Sequence, residues 1–321
     1  MSVDKKKYRL VTRSDIDGLV CAVMLRELNM IDEITFVHPK DVQDGKIELT
    51  ERDITTNVPY VNRVHLAFDH HMSETLRLED EHKPNLIMDP QAPSTARVVY
   101  DYFGGKEKFQ TVSPDMMAAV DKSDSAQFTM KDIMNPKGWE LLSFMMDPRT
   151  GLGRFKSFRI SNYDLMMKLI DYCAVHQNPE DILNLPDVKE RCDLYFEYQD
   201  KFKDQIKCCS SVYENLVVLN LKNEEIIYPG NRFMIYALYP QCTISIYEIW
   251  GLKKQNTVFA IGKSIFNKTS TINIGELCLT YGGGGHENAG TCQIANERAH
   301  DILKELITRI NDFEYQNAVM V

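Results

Sequence analysis

No uninterrupted apolar run in these 321 residues approaches the roughly 18 needed to cross a bilayer. The basic stretch 1–13 also lacks the apolar core of a secretory signal, so the expectation is a cytoplasmic protein with no membrane partner. Positive charge is in deficit as well: 37 Lys and Arg stand against 46 Asp and Glu, a formal net charge of -9. A protein that coats long nucleic acid needs a broad cationic surface to release counterions, and that class is excluded; a small anion held by metal and a few local cations is not. The eight cysteines lack the paired spacing of zinc sites or of a short disulfide framework, which leaves reduced, mostly buried thiols. Internal repeats and low-complexity tracts are missing too.

What is present is ordinary globular material, 44% hydrophobic and 26% charged, in a chain long enough for two domains. The first half alternates strand and helix patterns. Tyr8 to Thr12, Ile34 to Val37, the run Val64 to Ala67 and Leu86 to Met88 read as strands, while Gly18 to Leu28 and Ser94 to Tyr102 (with Ser94 as N-cap) read as helices. From Trp139 to about Gln205 the pattern is helical, broken at Asp147-Pro148, Gly151 to Gly153 and Asn178-Pro179. Beyond it the period-2 segments Val217 to Leu221, Phe233 to Leu238, Thr243 to Trp250 and Thr257 to Gly262 predict a largely antiparallel sheet, covered by helices at Ile274 to Thr280 and Arg298 to Ile310. The expected fold class is α/β: residues 1–190 carry a parallel sheet flanked by helices, 191–213 form a helical connection, and 214–321 form a smaller domain with a mixed sheet, the two facing each other over a cleft.

Chemistry-bearing residues gather at predicted strand ends. Phe68-Asp69-His70-His71 closes one strand, and Ser14-Asp15-Ile16-Asp17-Gly18 forms the turn between the first strand and its helix. Open α/β sheets bind ligands at such carboxyl ends. Carboxylates with imidazoles suit Mn²⁺, whereas all-oxygen shells suit Mg²⁺ or Ca²⁺. Far downstream stands Gly282-Gly283-Gly284-Gly285-His286-Glu287-Asn288-Ala289-Gly290, whose glycines allow positive φ and a nest of amides around an anion.

These three stretches, in this order and over nearly the whole chain, resemble the DHH–DHHA1 phosphoesterases. That superfamily includes RecJ-type exonucleases, nanoRNases, cyclic-dinucleotide phosphodiesterases and family II pyrophosphatases. The resemblance implies Asp15, Asp17, Asp53, His70 and Asp124 as ligands of one or two divalent ions, manganese first and magnesium second, with Asp53 bridging. Asp53 is the best-placed aspartate between the first motif and the DHH strand, ahead of Glu51 and Asp44; Asp124, followed four residues later by Phe128, has Asp121 as its rival. His71 is implied at a phosphate oxygen or the leaving group. Gly283, Gly284, Gly285 and His286 are implied to hold a terminal phosphate or nucleotide, helped by Arg232, Lys263, Ser264 and Lys268. One departure stands out. Related first motifs carry a histidine four or two residues before the first aspartate, where this chain has Val11 and Arg13. Valine cannot ligate, and a guanidinium can clamp phosphate but cannot replace imidazole at a metal. The first ion then has a thinner shell, or His38 completes it, or a single ion binds tightly.

The leading expectation is a metal-dependent phosphodiesterase acting on very short RNA, most plausibly diribonucleotides such as pGpG in cyclic di-GMP turnover, to give 5′-mononucleotides. Phe128, Phe266 and Tyr281 are candidates to stack on bases, although core packing suits them as well. Exopolyphosphatase or pyrophosphatase activity and a non-catalytic nucleotide sensor are the alternatives, and a homodimer is compatible with each.

Overall fold

The computed structural model describes residues 7–71, 74, 77, 78 and 83–319. The chain divides into two compact units: residues 1–128 with 136–194, and residues 129–135 with 195–321.

The first unit is built on five strands, β1 (Tyr8–Thr12), β2 (Ile31–Phe36), β3 (Asp53–Thr56), β4 (Leu66–Asp69) and β5 (Leu86–Met88). They lie in the order β2-β1-β3-β4-β5 and every neighbouring pair is parallel. This is a doubly wound order in which the chain reverses direction between β1 and β3, so their carboxyl ends flank the crevice where such sheets bind ligands. The register sets Val11 beside Thr55 and Thr56 beside Phe68. Helix α1 (Ile16–Glu27) starts at Asp15, whose side chain caps it by accepting from the Gly18 N–H at 3.0 Å. Glycine is required at position 18 because a Cβ there would lie 2.1 Å from the Arg13 carbonyl oxygen. The helix therefore packs directly under the end of β1, with Leu19 to Leu25 wholly inside.

Helix α2 (Pro39–Gln43) follows β2 and is capped by His38, whose Nδ1 accepts from the Lys40 N–H at 3.1 Å. Helix α3 (Thr95–Tyr102) is capped by Ser94 as its sequence predicts, and α4 (Pro114–Asp124) ends at Asp124. The helical segment beyond contains α5 (Met130–Met134), which clusters with the second unit, then α6 (Gly138–Met146), α7 (Asn162–Cys173), α8 (Pro179–Leu183) and α9 (Pro186–Cys209). The division between the units falls inside α9, at Leu194 and Tyr195.

The second unit carries β6 (Ser210–Tyr213), β7 (Leu216–Asn220), β8 (Ile244–Trp250), β9 (Thr257–Lys263), β10 (Gly284–His286) and β11 (Ala289–Ile294), in the order β10-β11-β9-β8-β7-β6. Only β7 with β8 is parallel. Helices α11 (Ile274–Leu279) and α12 (Ala299–Val319) complete its core around Ile244, Ile246, Phe259, Cys278, Leu306 and Ile310. One predicted strand is wrong: Phe233 to Leu238 contains the short helix α10 (Met234–Leu238). A six-residue apolar run does not distinguish a buried strand from a buried helical turn, and here Asn231 Oδ1 accepts the Phe233 N–H at 3.1 Å and starts the turn. All eight cysteines are free thiols, six of them buried.

Candidate metal centre at the carboxyl end of the parallel sheet

Asp17 lies in the first turn of α1, fully buried, and its carboxylate accepts from the backbone N–H groups of Ala96 (2.7 Å) and Thr95 (3.3 Å) at the start of α3. His70 follows β4 directly, and Asp124 closes α4. Asp17, His70 and Asp124 each offer a ligand atom, and these atoms all lie within 4.8 Å of one another. Three elements far apart in sequence thus converge on one point.

The lone pairs are arranged as a metal would need them. His70 Nδ1 donates to the Ala92 carbonyl at 3.0 Å, which fixes the tautomer and leaves Nε2 as a lone-pair donor. That Nε2 is buried and 2.8 Å from Asp124 Oδ2. Burial, then the charges of Asp124 and Asp15, push the Asp17 carboxyl well above the ordinary carboxylate range. Burial also raises Asp15, against the pull of Arg13. For His70 burial favours the neutral ring, but the adjoining Asp124 carboxylate prevails and lifts the imidazole to about 9. Asp124 moves the other way: burial pushes it up, and the contact with His70 brings it below its usual value. Two carboxylates and an imidazole nitrogen gathered at one point are a donor set that a divalent cation would fit.

Beside this trio, Asp69 accepts the His71 ring at Nδ1 (2.6 Å) and the His70 backbone N–H (2.9 Å), so the first letter of the motif orients the third. The rings of His70 and His71 meet edge to face with centroids 4.5 Å apart. Arg13 Nε lies 3.2 Å from Asp15 Oδ2, which puts a guanidinium on the rim of the site. Asp15 itself serves as helix cap and partner of Arg13.

Five residues considered for the site fall elsewhere. Asp53 opens β3 instead of ending it, and accepts from Arg9 Nε (2.7 Å), Arg9 Nη2 (2.9 Å) and the Thr50 N–H (2.6 Å). Its own carbonyl accepts from the His65 N–H, which puts it level with the foot of β4, about 16 Å of extended chain below His70. Asp53 is thus an ion-pair partner of Arg9 and does not join the cluster of Asp17, His70 and Asp124. Asp121 is held by Arg97 Nε (3.1 Å) and Ser94 Oγ (2.7 Å), whereas Asp124 is the one that lies with Asp17 and His70. His38 caps α2, and Asp44 pairs with Lys40 and Lys46. Phe128 packs against Phe144 in the core.

The residue that does stand at the carboxyl end of β3 is Asn57. It has φ of +57° and is almost wholly buried, and neither its Oδ1 nor its Nδ2 has a hydrogen-bond partner. Sequence reasoning missed it because a search for a carboxylate passes over an amide. Arg149 was missed as well. Its Nε binds Asp147 at 2.8 Å in the turn after α6, and although its surroundings work to lower its pKa, the charges of Asp147, Asp15 and Asp124 raise it. A cavity of about 50 Å³ lined by Ser14, Asp147 and Pro148 adjoins both turns.

In the second unit the glycine run is mostly a packing device. The N–H groups of Gly282 and Gly283 close the end of α11 on the Leu279 and Cys278 carbonyls, so they do not form the expected anion nest. A Cβ at Gly283 would lie 2.2 Å from the Thr291 carbonyl, and one at Gly285 2.3 Å from that of Ala289, whereas Gly284 faces open space. His286 is exposed on the β10–β11 hairpin, and Lys263 pairs with Glu287 at 3.2 Å. Ser264 Oγ accepts the N–H groups of Phe266 and Asn267, Lys268 is exposed, and Arg232 lies over the Phe233 ring. Tyr281 hydrogen-bonds Glu305.

No family model matches the chain, and no curated protein does. Solved structures match it over its length. PggH, a pGpG-specific phosphodiesterase from Vibrio cholerae, is 59% identical, with 96% of this chain and 100% of that one covered and a TM-score of 0.80. CDC45 from Entamoeba histolytica shares the fold at 10% identity, with 96% of each chain covered and a TM-score of 0.50. RecJ from Thermus thermophilus, solved with Mn²⁺, is 14% identical, with 96% of this chain and 52% of that one covered and a TM-score of 0.49. The full-length likeness at 59% identity, a DHH tip that orients its own histidines and a glycine hairpin on a separate sheet lead to one assignment: the chain belongs to the DHH–DHHA1 phosphoesterase superfamily.

Proposed function

We propose that this protein is a divalent-metal-dependent phosphodiesterase that hydrolyses pGpG to 5′-mononucleotides and so completes cyclic di-GMP turnover. The observation that carries the catalytic reading is the convergence of Asp17, His70 Nε2 and Asp124. The substrate follows from the full-length identity with a pGpG-specific enzyme. Two carboxylates and an imidazole without any thiolate fit Mn²⁺ well and Mg²⁺ acceptably. Such an ion on Asp17, His70 and Asp124 would supply Lewis-acid stabilisation of a phosphoryl oxygen and a more acidic water.

The chain's own residues do the positioning. Asp69 holds His71 at Nδ1 so that the ring is fixed for a phosphate oxygen or the leaving group. Arg13 presents a guanidinium, a bidentate donor suited to phosphate, at the rim. In the second unit the exposed His286 and the open face of Gly284 are a surface for a nucleotide. The net charge of -9 supplies no extended cationic track, which favours a dinucleotide over a long strand. Mn²⁺-reconstituted protein is expected to cleave pGpG at least about tenfold faster than a ~10-nucleotide RNA, in line with the missing polymer track. Equal rates on both would defeat the length limit, and rapid phosphate release from polyphosphate would replace the reading with its rival.

A further inference from the structure

We propose that the centre takes one divalent ion, and that two guanidiniums, Arg13 and Arg149, occupy the role of a second cation by clamping the phosphate opposite that ion. The proposal rests on the phosphodiesterase reading above and narrows it.

A two-ion centre needs a carboxylate that both ions share and a further set of donors for the second ion. The described residues provide neither. The trio Asp17, His70 and Asp124 is one ligand set. Asp53, the expected bridge, is saturated by Arg9 and Thr50 at the other end of the sheet. By continuation of the strand register, the position beside the ends of β1 and β4 belongs to Asn57. An amide oxygen is neutral and cannot offset the repulsion between two dications about 4 Å apart, the separation usual in two-ion sites. Asn57 is buried with both amide atoms unpartnered, so this strand end has polar capacity but no negative charge. Two nearby acids remain: Asp15 has one oxygen on the Gly18 N–H and the other on Arg13, and Asp69 turns Oδ1 to the His71 ring and the His70 N–H.

Positive charge is already built in. Arg13 is tethered through Nε to Asp15, and Arg149 through Nε to Asp147, so both keep their Nη groups for another acceptor. Ser14 and the Asp147-Pro148 turn line the same cavity, which brings the two arginine-bearing turns together. Half of the Arg149 side-chain surface stays open, as a residue awaiting a ligand requires. Two fixed cations would repel a second metal ion while supplying paired N–H donors to the non-bridging oxygens of a phosphodiester. Asn57 Nδ2 adds a neutral donor at the strand end.

The test uses the full chain stripped of metal. Titration with Mn²⁺, followed by calorimetry and by elemental analysis after desalting, is expected to give one ion per chain. Two tightly held ions would overturn the proposal, whereas none would overturn the phosphodiesterase reading beneath it. Binding of pGpG to the metal-free chain, where turnover is blocked, then reads the clamp directly. Arg13→Ala and Arg149→Ala are each expected to weaken that binding about tenfold or more, the scale of a charge-assisted bidentate contact, with the ion count still one. Arg149→Lys is expected to recover only part of the loss. Unchanged affinity in both alanine variants, or no pGpG binding by the metal-free wild-type chain, would overturn the clamp.

Discussion

The two ends of the parallel sheet each bury an acidic group, and they use it in opposite ways. At the amino end Asp53 is enclosed by Arg9 and Thr50, with four hydrogen bonds to its two oxygens. At the carboxyl end Asp17 and Asp124 converge on an imidazole nitrogen, all three ligand atoms within 4.8 Å of one another. Burial is common to both, so burial does not identify a ligand. The partners do: an acid enclosed by a guanidinium is fixed as an ion pair, and acids that meet an imidazole nitrogen at one point are placed to hold a cation.

That contrast is sharpest in His70→Ala. The variant is expected to lose about a thousandfold in turnover of pGpG, the scale of removing a preorganised electrostatic group, together with its bound metal. Full metal content in the purified variant would place the ion elsewhere. The opposite end predicts the opposite phenotype. Arg9→Ala leaves Asp53 buried without its cation and should cost about 3 kcal/mol of stability in a denaturant titration. Its ion content should stay at the wild-type value, and loss of metal without loss of stability would return Asp53 to the list of ligands.

The pH dependence separates the ends again. In the metal-free chain His70 is raised from the ordinary 6.5 to about 9, so the folded state binds more protons than the unfolded one across that window. Stability from this contact is complete below about 6.5 and is lost as the pH climbs through about 9. Asp17, raised well above the carboxylate range, acts in the same direction, and Asp124, lowered, loses its contribution only in acid. A thermal melt of metal-free protein should therefore fall between pH 6.5 and 9. Metal affinity should rise over the same interval, because binding must displace the His70 proton. Flat melts would show that the pair does not hold its proton.

The smallest expected effect lies in the second unit. Gly283→Ala should destabilise by about 1–3 kcal/mol, because its Cβ would strike the Thr291 carbonyl, whereas Gly284→Ala meets nothing and should leave the melt unchanged. Equal behaviour of the two variants would contradict the packing role assigned to this run.

Much of this was legible in the residues. The strand-to-helix turn at Asp15 and Asp17, the Ser94 cap, the short strand at Leu86 and the change to an antiparallel sheet all follow from local pattern and capping chemistry. The misassigned strand at Phe233 and the undetected hairpin partner Ala289 to Ile294 are short, and their state is decided by what packs on them.

Of the site, the sequence by itself determined the kinds of atom available: which carboxylates, imidazoles and guanidiniums follow apolar runs, and that no imidazole stands at position 11 or 13. Only the tertiary structure decided which of them meet. Asp53 opens β3 and Asn57 directly follows it, four positions on, and in a parallel sheet that length of chain, about 13 Å, separates the structural end from the ligand-binding end. Likewise, Asp121 and Asp124 stand three positions apart at the end of α4, one turned to Arg97 and the other to His70. A helix turn and a strand register are fixed by side chains far away in sequence, so the choice between near neighbours was made by packing.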